Sequence, residues 1–511
     1  MHIPGYLNLE NLKDRFPKDF SPGEVAKAQT IFLKRLSLAA HGFYGGKMKT
    51  IPKAGMFGFG WFGVWYTPGV SAVSTAIRED NLRSYELSNR SNLVAVVSDS
   101  TRVLGDGDCT PSGGLGVMEG KAFLMYYLGG VDAIALCINT HEDPKSFRYG
   151  FRFDPRAPHQ HMAQRTIDFV KMAAPSFGAV NLEDISQPNC FKVLDELQDC
   201  GIPVWHDDAQ GTACVTLAGM INAIKRAGKE WKKVKAVFLG AGASNATIIR
   251  LMLTEGLDPL NVIAFDTKGG LHAGRDDLRT DPRFYRKWEI CRRTNPNRVD
   301  DMLKACTGAD ILCALSSPGP GVVKREWISA MAPRAIVFAC ANPVPEIYPY
   351  EAKDAGAYIV ATGRSDFPNQ VNNSMCFPGL LKGCLLVHAS RITDRMAIAA
   401  AHALAHMREE RGLDENHIMP TMDDVEVFPR VAAEVARQAM AEGVARITLT
   451  PEEVYQQADR DIQQNRAVVQ LLQDKGFIKA PPRQLVEDAL AATIAEVRGQ
   501  VEAVQGNPYE V

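Results

Sequence analysis

Two acidic pairs carry the strongest chemical signal in the chain: Glu183-Asp184 and Asp207-Asp208, each placed at the end of a short apolar run. Gly178-Ala-Val-Asn-Leu182 and the residues around Val204-Trp205 read as buried strands of a parallel sheet. In such a sheet the carboxyl ends of the strands share one edge, so the two pairs can converge on a point. Carboxylates brought together repel one another unless a cation neutralises them. An all-oxygen donor set with no cysteine pair nearby suits Mg2+ or Mn2+ rather than zinc. Acidic residues after strands also serve simply as helix N-caps, and spacing alone does not separate the two uses.

A candidate base stands in Val117-Met-Glu-Gly-Lys121. The preceding Gly-rich run, Gly105 to Gly116, is only superficially a phosphate loop. Leu115 occupies the first Gly position and Ala122 the Ser/Thr position of that motif. Beneath helices and near a bound metal, Lys121 could lose its proton near neutral pH and serve as general base for an alcohol. Taken by itself, an ordinary surface lysine is the alternative. Further on, Gly240-Ala-Gly242-Ala243-Ser244-Asn245 follows a predicted strand and opens a predicted helix. There Gly240 permits a tight turn, Gly242 lets backbone approach a pyrophosphate, and the helix N–H groups face the phosphates. Asn245 replaces the usual Gly or Ala, which predicts looser helix–strand contact. Asp266 ends the next strand where a ribose-binding carboxylate belongs and favours NAD; Lys268, two residues later, could offset its charge, so NADP stays open.

The elements that must position these groups form two alternating series. Leu93–Val97, Ala133–Ile138, Gly178–Leu182 and Val204-Trp205 read as one set of buried parallel strands. Val234–Leu239, Val262–Phe265, Asp310–Leu315, Ala335–Ala339 and Tyr358–Ala361 read as another, with a helix from Thr212 to Ala227 between the sets. The expected fold is α/β: an N-terminal substrate and metal domain over 1–211, a doubly wound Rossmann-type NAD(P) domain over 212–388, and a helical C-terminal extension over 389–511. That extension is expected to pack on the first domain or on a neighbouring subunit. The Gly/aromatic segment Met56–Trp65 reads as either a pocket wall or a packing surface against another domain or subunit.

Composition narrows the class. A net charge of -2 gives no electrostatic case for nucleic acid, and no stretch approaches the length of a membrane span. Eleven cysteines without CxxC spacing, several inside apolar runs, fit reduced thiols in a cytoplasm better than a disulfide framework.

These pieces occur in a recognisable order. Tyr66-Thr-Pro-Gly-Val70, Asn92–Asp99, Met118-Glu-Gly-Lys121, Asn181-Leu-Glu-Asp184 and His206-Asp-Asp-Ala-Gln-Gly-Thr212 resemble malic enzyme, as do Gly240-Ala-Gly242, Ala341–Glu346 and Ala361–Asn373. The resemblance implies that Glu183, Asp184 and Asp208 hold the divalent metal, which chelates the C1 carboxylate and C2 hydroxyl of a 2-hydroxy diacid. It implies that Lys121, oriented by Asp207, takes the hydroxyl proton as hydride leaves C2, and that Tyr66 protonates C3 after CO2 departs. Arg102 would bind the C1 carboxylate, with Asn342, Asn372 and Asn373 lining the substrate pocket. Ala243, Ser244, Ser317 and Asn342 would join Gly240, Gly242, Asn245, Asp266 and Lys268 around the nucleotide. A homodimer or homotetramer is implied as well. The sequence departs from the family at Asp106–Gly114 and in an insertion from His141 to His161 carrying Arg148, Arg152 and Arg156. Both border the substrate side, so a related hydroxy acid competes with malate. A non-redox, malolactic-type decarboxylase and a catalytically silent nucleotide-binding protein are the other readings; the presence of Tyr66, Lys121, Glu183, Asp184 and Asp208 argues against the last.

Overall fold

The computed structural model describes residues 4–103, 106–143 and 161–499. The chain divides into two compact units, residues 1–48 with 466–511, and residues 49–465. In the smaller unit, the helix Pro22–Tyr44 begins with a reciprocal Ser21–Glu24 capping box and a proline in its first turn. Gly45, at φ 70°, ends it in the left-handed conformation that glycine tolerates best. Leu12, Phe16, Ala28 and Phe32 bury their side chains with Val486 and Ala489 of the helix Arg483–Val497.

The larger unit holds two sheets. The first is fully parallel, with β1 Leu93–Ser98, β2 Asp132–Cys137, β3 Ala179–Leu182 and β4 Val204–His206 in the order β2-β1-β3-β4. The second comprises β5 Ala236–Leu239, β6 Val262–Asp266, the two-residue β7 Gly269–Gly270, β8 Ile311–Ala314, β9 Ala335–Ala339 and β10 Ala357–Thr362. Its order is β10-β9-β8-β5-β6-β7, parallel except for β7. Residues of β1, β3, β8 and β9 are buried almost without exception, which is why they read as continuous apolar runs rather than alternating ones. Each predicted strand is present within two residues of its expected ends, and the predicted helix runs Thr212–Arg226.

Register decides what the first sheet can do. Leu182 pairs with His206, so Glu183 and Asp207 leave adjacent strands at the same level, about 5 Å apart along the hydrogen-bonding direction. In the second sheet β5 lies between β6 and β8, so chain order reverses at the carboxyl end of β5, where Gly240 follows. That crevice is where open α/β sheets bind ligands.

Beyond the sheets the chain is helical. The helices Asp394–Glu410 and Val427–Ala441 pack on Thr212–Arg226 and Phe377–Leu386. Asn222 fastens one of these contacts by donating to the carbonyls of Ala405 and Ile418, both at 2.9 Å. Among the described residues no helix is long and apolar enough to cross a membrane. The Met56–Trp65 segment is not covered by other described residues: Phe57 and Phe59 remain 70% and 86% exposed. Arg148, Arg152 and Arg156 lie outside the described residues.

The Phe377–Leu386 helix approaches Val427–Ala441 so closely that a Cβ on Gly383 would stand 2.4 Å from the carbonyl oxygen of Ala432. Gly383→Ala should therefore destabilise the fold by about 1–3 kcal/mol. Thermal melting checks this, and an unchanged midpoint would contradict the close approach.

Candidate active site

Lys121 reaches the strand ends from the helix Leu115–Gly129, whose buried face carries Met118, Lys121, Ala122 and Met125 at helical spacing. Its ammonium bonds Asp207 and lies 3.1 Å from Glu183 Oε1. The ring of Phe377 sits 4.8 Å from the same nitrogen, giving it a cation–π face. Each carboxylate is held on its far side as well. Trp205 Nε1 donates to Asp207 Oδ1 at 3.0 Å, and Asn181 Nδ2 donates to Glu183 Oε2 at 2.9 Å. Trp205 and Phe377 are the contributors that sequence reasoning missed. Strand alternation held the signal for Trp205, because residues two apart face the same side; Phe377 comes from a distant helix and left none.

Asp184 and Asp208 complete the acidic group. One ligand atom from each of Glu183, Asp184 and Asp208 lies within 4.8 Å of the other two. Asp184 adopts φ 53°, a left-handed conformation that an aspartate tolerates at some cost. Two hydrogen bonds hold it there: its N–H donates to Asp208 Oδ2 at 2.8 Å, and its carbonyl accepts the N–H of Arg102 at 3.0 Å. Asp207 to Gly211 form a single π-helical turn, a device common at functional sites. A Cβ on Gly211 would fall 2.0 Å from Asp207 Oδ1 and 3.2 Å from Asn373 Cβ. Only glycine leaves room there for the Asp207 carboxylate.

The surrounding charges set the state of Lys121. Burial works to lower the Lys121 ammonium, as the sequence reading supposed, but Asp207, Glu183 and Asp208 outweigh it and the net shift is upward. Lys121 is the counter-ion of the cluster in this state. Burial also lifts Glu183 well above the ordinary carboxylate range, with Lys121 opposing and Asp208, Asp207 and Asp184 adding to the rise. Oxygen donors only, gathered this closely, fit a hard divalent cation, and Glu183, Asp184 and Asp208 are the residues that would hold it.

The nucleotide side also keeps its expected parts. Gly240 has φ 92°, and a Cβ on it would strike the Leu315 carbonyl oxygen at 2.4 Å. Gly242 precedes the helix Ala243–Thr254 without a side-chain cap, and nothing lies nearer to its Cβ position than Gln187 Nε2 at 4.0 Å. That leaves uncapped helix N–H groups beside open space, as a pyrophosphate requires. Asn245 does not loosen the turn. It is buried and donates to the carbonyls of Leu239 and Gly240 at 3.1 and 2.8 Å, tying strand to helix. The Ser244 hydroxyl donates to the Asp208 carbonyl at 2.8 Å, which joins the nucleotide helix to the acidic turn.

Asp266 ends β6 and accepts from Arg275 at 2.9 and 3.2 Å, from Lys287 at 3.3 Å and from the N–H of Lys268 at 2.9 Å. Burial would raise its carboxyl, but these donors win and hold it below its usual range. The Lys268 ammonium turns instead to Asp277 at 3.3 Å. Ser317 and Asn342 are exposed after β8 and β9, and Asn372 caps the turn Asn373–Met375 by accepting the Ser374 N–H at 2.9 Å. Arg102 is exposed, anchored by its backbone beside Asp184. Tyr66 is not gathered in: it is 70% exposed at the end of the short helix Phe62–Trp65, and no hydrogen bond joins it to the Lys121 cluster.

All eleven cysteines are free, eight of them buried.

Comparison with known proteins agrees with this arrangement. Residues 60–198 match the family model "Malic enzyme, N-terminal domain", and residues 209–440 match "Malic enzyme, NAD binding domain". The "Bifunctional malic/malolactic enzyme" of Bacillus subtilis is 41% identical over 391 residues, which cover 76% of this chain and 88% of that protein. The "NAD-dependent malic enzyme" of Geobacillus stearothermophilus is 40% identical, covering 75% of this chain and 74% of that one. The crystal structure of Entamoeba histolytica malic enzyme superposes with a TM-score of 0.90 at 54% identity, covering 96% of this chain and 98% of that one.

If the carboxylates form one cation site, Glu183→Gln and Asp208→Asn should each weaken Mn2+ binding at least about tenfold, while NAD affinity is kept. Calorimetric titration reads both, and full Mn2+ affinity in both variants would dissolve the site.

Proposed function

The chain belongs to the malic enzyme family, and we propose that it oxidises and decarboxylates a small 2-hydroxy diacid, malate before others. In this reading NAD is the hydride acceptor, NADP the alternative, and Mg2+ or Mn2+ sits among Glu183, Asp184 and Asp208. The observation that carries the reading is the Lys121 ammonium lodged between Asp207 and Glu183, one residue away from the proposed metal ligands along two strand ends.

When bound, the dication supplies a Lewis acid for the substrate's oxygens and the nicotinamide supplies the hydride acceptor. The protein's part is placement and proton transfer. Lys121 Nζ would take the proton of the C2 hydroxyl as the neutral amine, the form it reaches once a cation among Glu183, Asp184 and Asp208 offsets the charge that now holds it protonated. Asp207, itself fixed by Trp205, sets the direction of that amine and balances its charge afterwards. Arg102 pairs with the C1 carboxylate, for which a guanidinium fork is well shaped. Asn342, Asn372 and Asn373 line the remaining walls. Tyr66 donates its phenolic proton to C3 once CO2 has left C4; this role rests on the motif match, not on a contact within the chain. The nucleotide lies across Gly240, Gly242, Ala243, Ser244 and Asn245, with Asp266 at the ribose and Ser317 near the nicotinamide.

A second reading is favoured by one finding, the name of the Bacillus subtilis relative: a malolactic-type decarboxylation that retains NAD without net reduction. We further propose a homodimer or homotetramer, which the uncovered aromatic segment around Phe57 and Phe59 supports. A cytoplasmic location is proposed from the free, mostly buried thiols.

The test is to incubate the protein with L-malate, NAD and Mn2+ and follow absorbance near 340 nm. Stoichiometric NADH and CO2 are expected, and CO2 without NADH would transfer the protein to the second reading. Lys121→Ala should keep NAD binding and lose about 10²–10⁴ in turnover, whereas Tyr66→Phe should slow decarboxylation more than hydride transfer. Asp266→Ala removes a negative charge and frees Lys287, while Asp277 still holds Arg275, so it should shift preference from NAD toward NADP; an unchanged ratio of kcat/KM values would remove Asp266 from cofactor choice.

A further inference from the structure

The two stretches that depart from the family pattern, Asp106–Gly114 and the 141–161 insertion, meet in the structure. His161 closes the described base of the insertion, bridging to His141 across the backbone, with the Met162 N–H donating to the Thr140 carbonyl at 2.9 Å. Its imidazole reaches two of the described side chains on the substrate side. Nε2 lies 3.0 Å from Asp108 Oδ2, and Nδ1 lies 2.9 Å from Thr140 Oγ1. The Thr140 hydroxyl donates to Asp99 Oδ2 at 3.2 Å, and Asp99 Oδ1 accepts the hydroxyl and N–H of Thr101 at 2.7 and 3.2 Å. Thr101 Oγ1 in turn accepts the N–H of Ser186 at 2.8 Å. The next residue, Arg102, holds the carbonyl of Asp184. A run of hydrogen bonds therefore joins His161 to Thr101 and Ser186, which stand next to Arg102 and two residues from Asp184 along the chain.

The turns it joins need holding. Ser100, Thr110 and Asp184 all have positive φ, at 60°, 65° and 53°, and none is glycine. Such residues are strained and persist only where neighbours over-determine them. Asp108 Oδ1 accepts the N–H of Thr110 at 2.9 Å, and the Ser100 carbonyl accepts the N–H of Cys109 at 3.0 Å. Asp99, Ser100 and Thr101 are buried, so each group left unpaired there would cost more than an exposed one.

We propose that His161 is a positioning residue for the metal and substrate site, clamping the turns that carry Arg102 and Asp184 through Asp108, Thr140, Asp99 and Thr101. The proposal rests on the reading of that site given above. His161 touches neither metal nor substrate; it fixes the angle from which an arginine and a carboxylate address them.

The test compares the full-length wild type, His161→Ala and His161→Gln, the last keeping one donor and one acceptor on the side chain. Mn2+ affinity without substrate should fall about tenfold in His161→Ala. KM for L-malate should rise by a similar factor with kcat changed much less, and NAD affinity should stay within about twofold. His161→Gln should recover most of the Mn2+ affinity. Wild-type Mn2+ affinity in His161→Ala overturns the proposal, as does equal loss of Mn2+ and NAD binding in both variants, the mark of general unfolding. A wild type that does not turn over malate yet shows the Mn2+ difference would retire the reaction and leave the positioning role standing.

Discussion

Everything in the larger unit answers to one imbalance, a group of carboxylates at the tips of β3 and β4 with a single buried ammonium among them. The register pair Leu182–His206 makes the crowding unavoidable, because Glu183 and Asp207 leave neighbouring strands side by side. Burying charge is costly unless it is paired and hydrogen-bonded. Lys121 pairs with two of the carboxylates, Asn181 and Trp205 bond their outer oxygens, and the Asp184 N–H bonds Asp208. What remains is a set of carboxylate oxygens from Glu183, Asp184 and Asp208 gathered within the span of one ion. Such a site gains more from a dication than a neutral pocket could, since binding relieves a repulsion the fold already bears.

The same turn also ties the two sheets into one working surface. Asp208 gives its side chain to Asp184 and its carbonyl to Ser244, so a residue of the nucleotide helix is bonded to the acidic cluster. Gly211 lies close to both Asp207 and Asn373, and Phe377 four residues later faces Lys121. A hydride moves between substrate and nicotinamide only over a short distance, so the elements holding each must share a frame accurate to a fraction of an ångström. Direct bonds between them supply that frame more reliably than packing through an intermediate layer.

The fold and most of the site were legible in the sequence for a physical reason. Strands of a parallel sheet covered on both faces are uniformly apolar, so their ends stand out, and ligands collect at those ends. Glu183, Asp184, Asp207, Asp208 and Gly240 are legible by that rule. What was not legible depends on partners distant in sequence. The sign of the Lys121 shift is one case: burial pushes one way, and only knowing that three carboxylates face the amine reverses it. Asn245 is another, since a residue that looks too large for a close turn instead supplies two hydrogen bonds to it. Tyr66 carries a family motif yet stands exposed, so its address cannot be read from one chain's own contacts.

Asp266 shows how far surroundings, rather than residue type, set a carboxylate's task. It too follows an apolar parallel strand and faces the carboxyl edge of a sheet, the same local position as Glu183. There the resemblance stops. Arg275 grips it with two nitrogens, Lys287 adds a second cation, and the neighbouring Asp277 is itself paired with Arg275 and Lys268. Its carboxyl is pulled below the usual range where that of Glu183 is pushed above it. A metal ion has little to gain at Asp266, because Arg275 and Lys287 already match its charge. Two acidic strand ends of one fold type thus meet opposite surroundings, and their titration shifts in opposite directions follow from that.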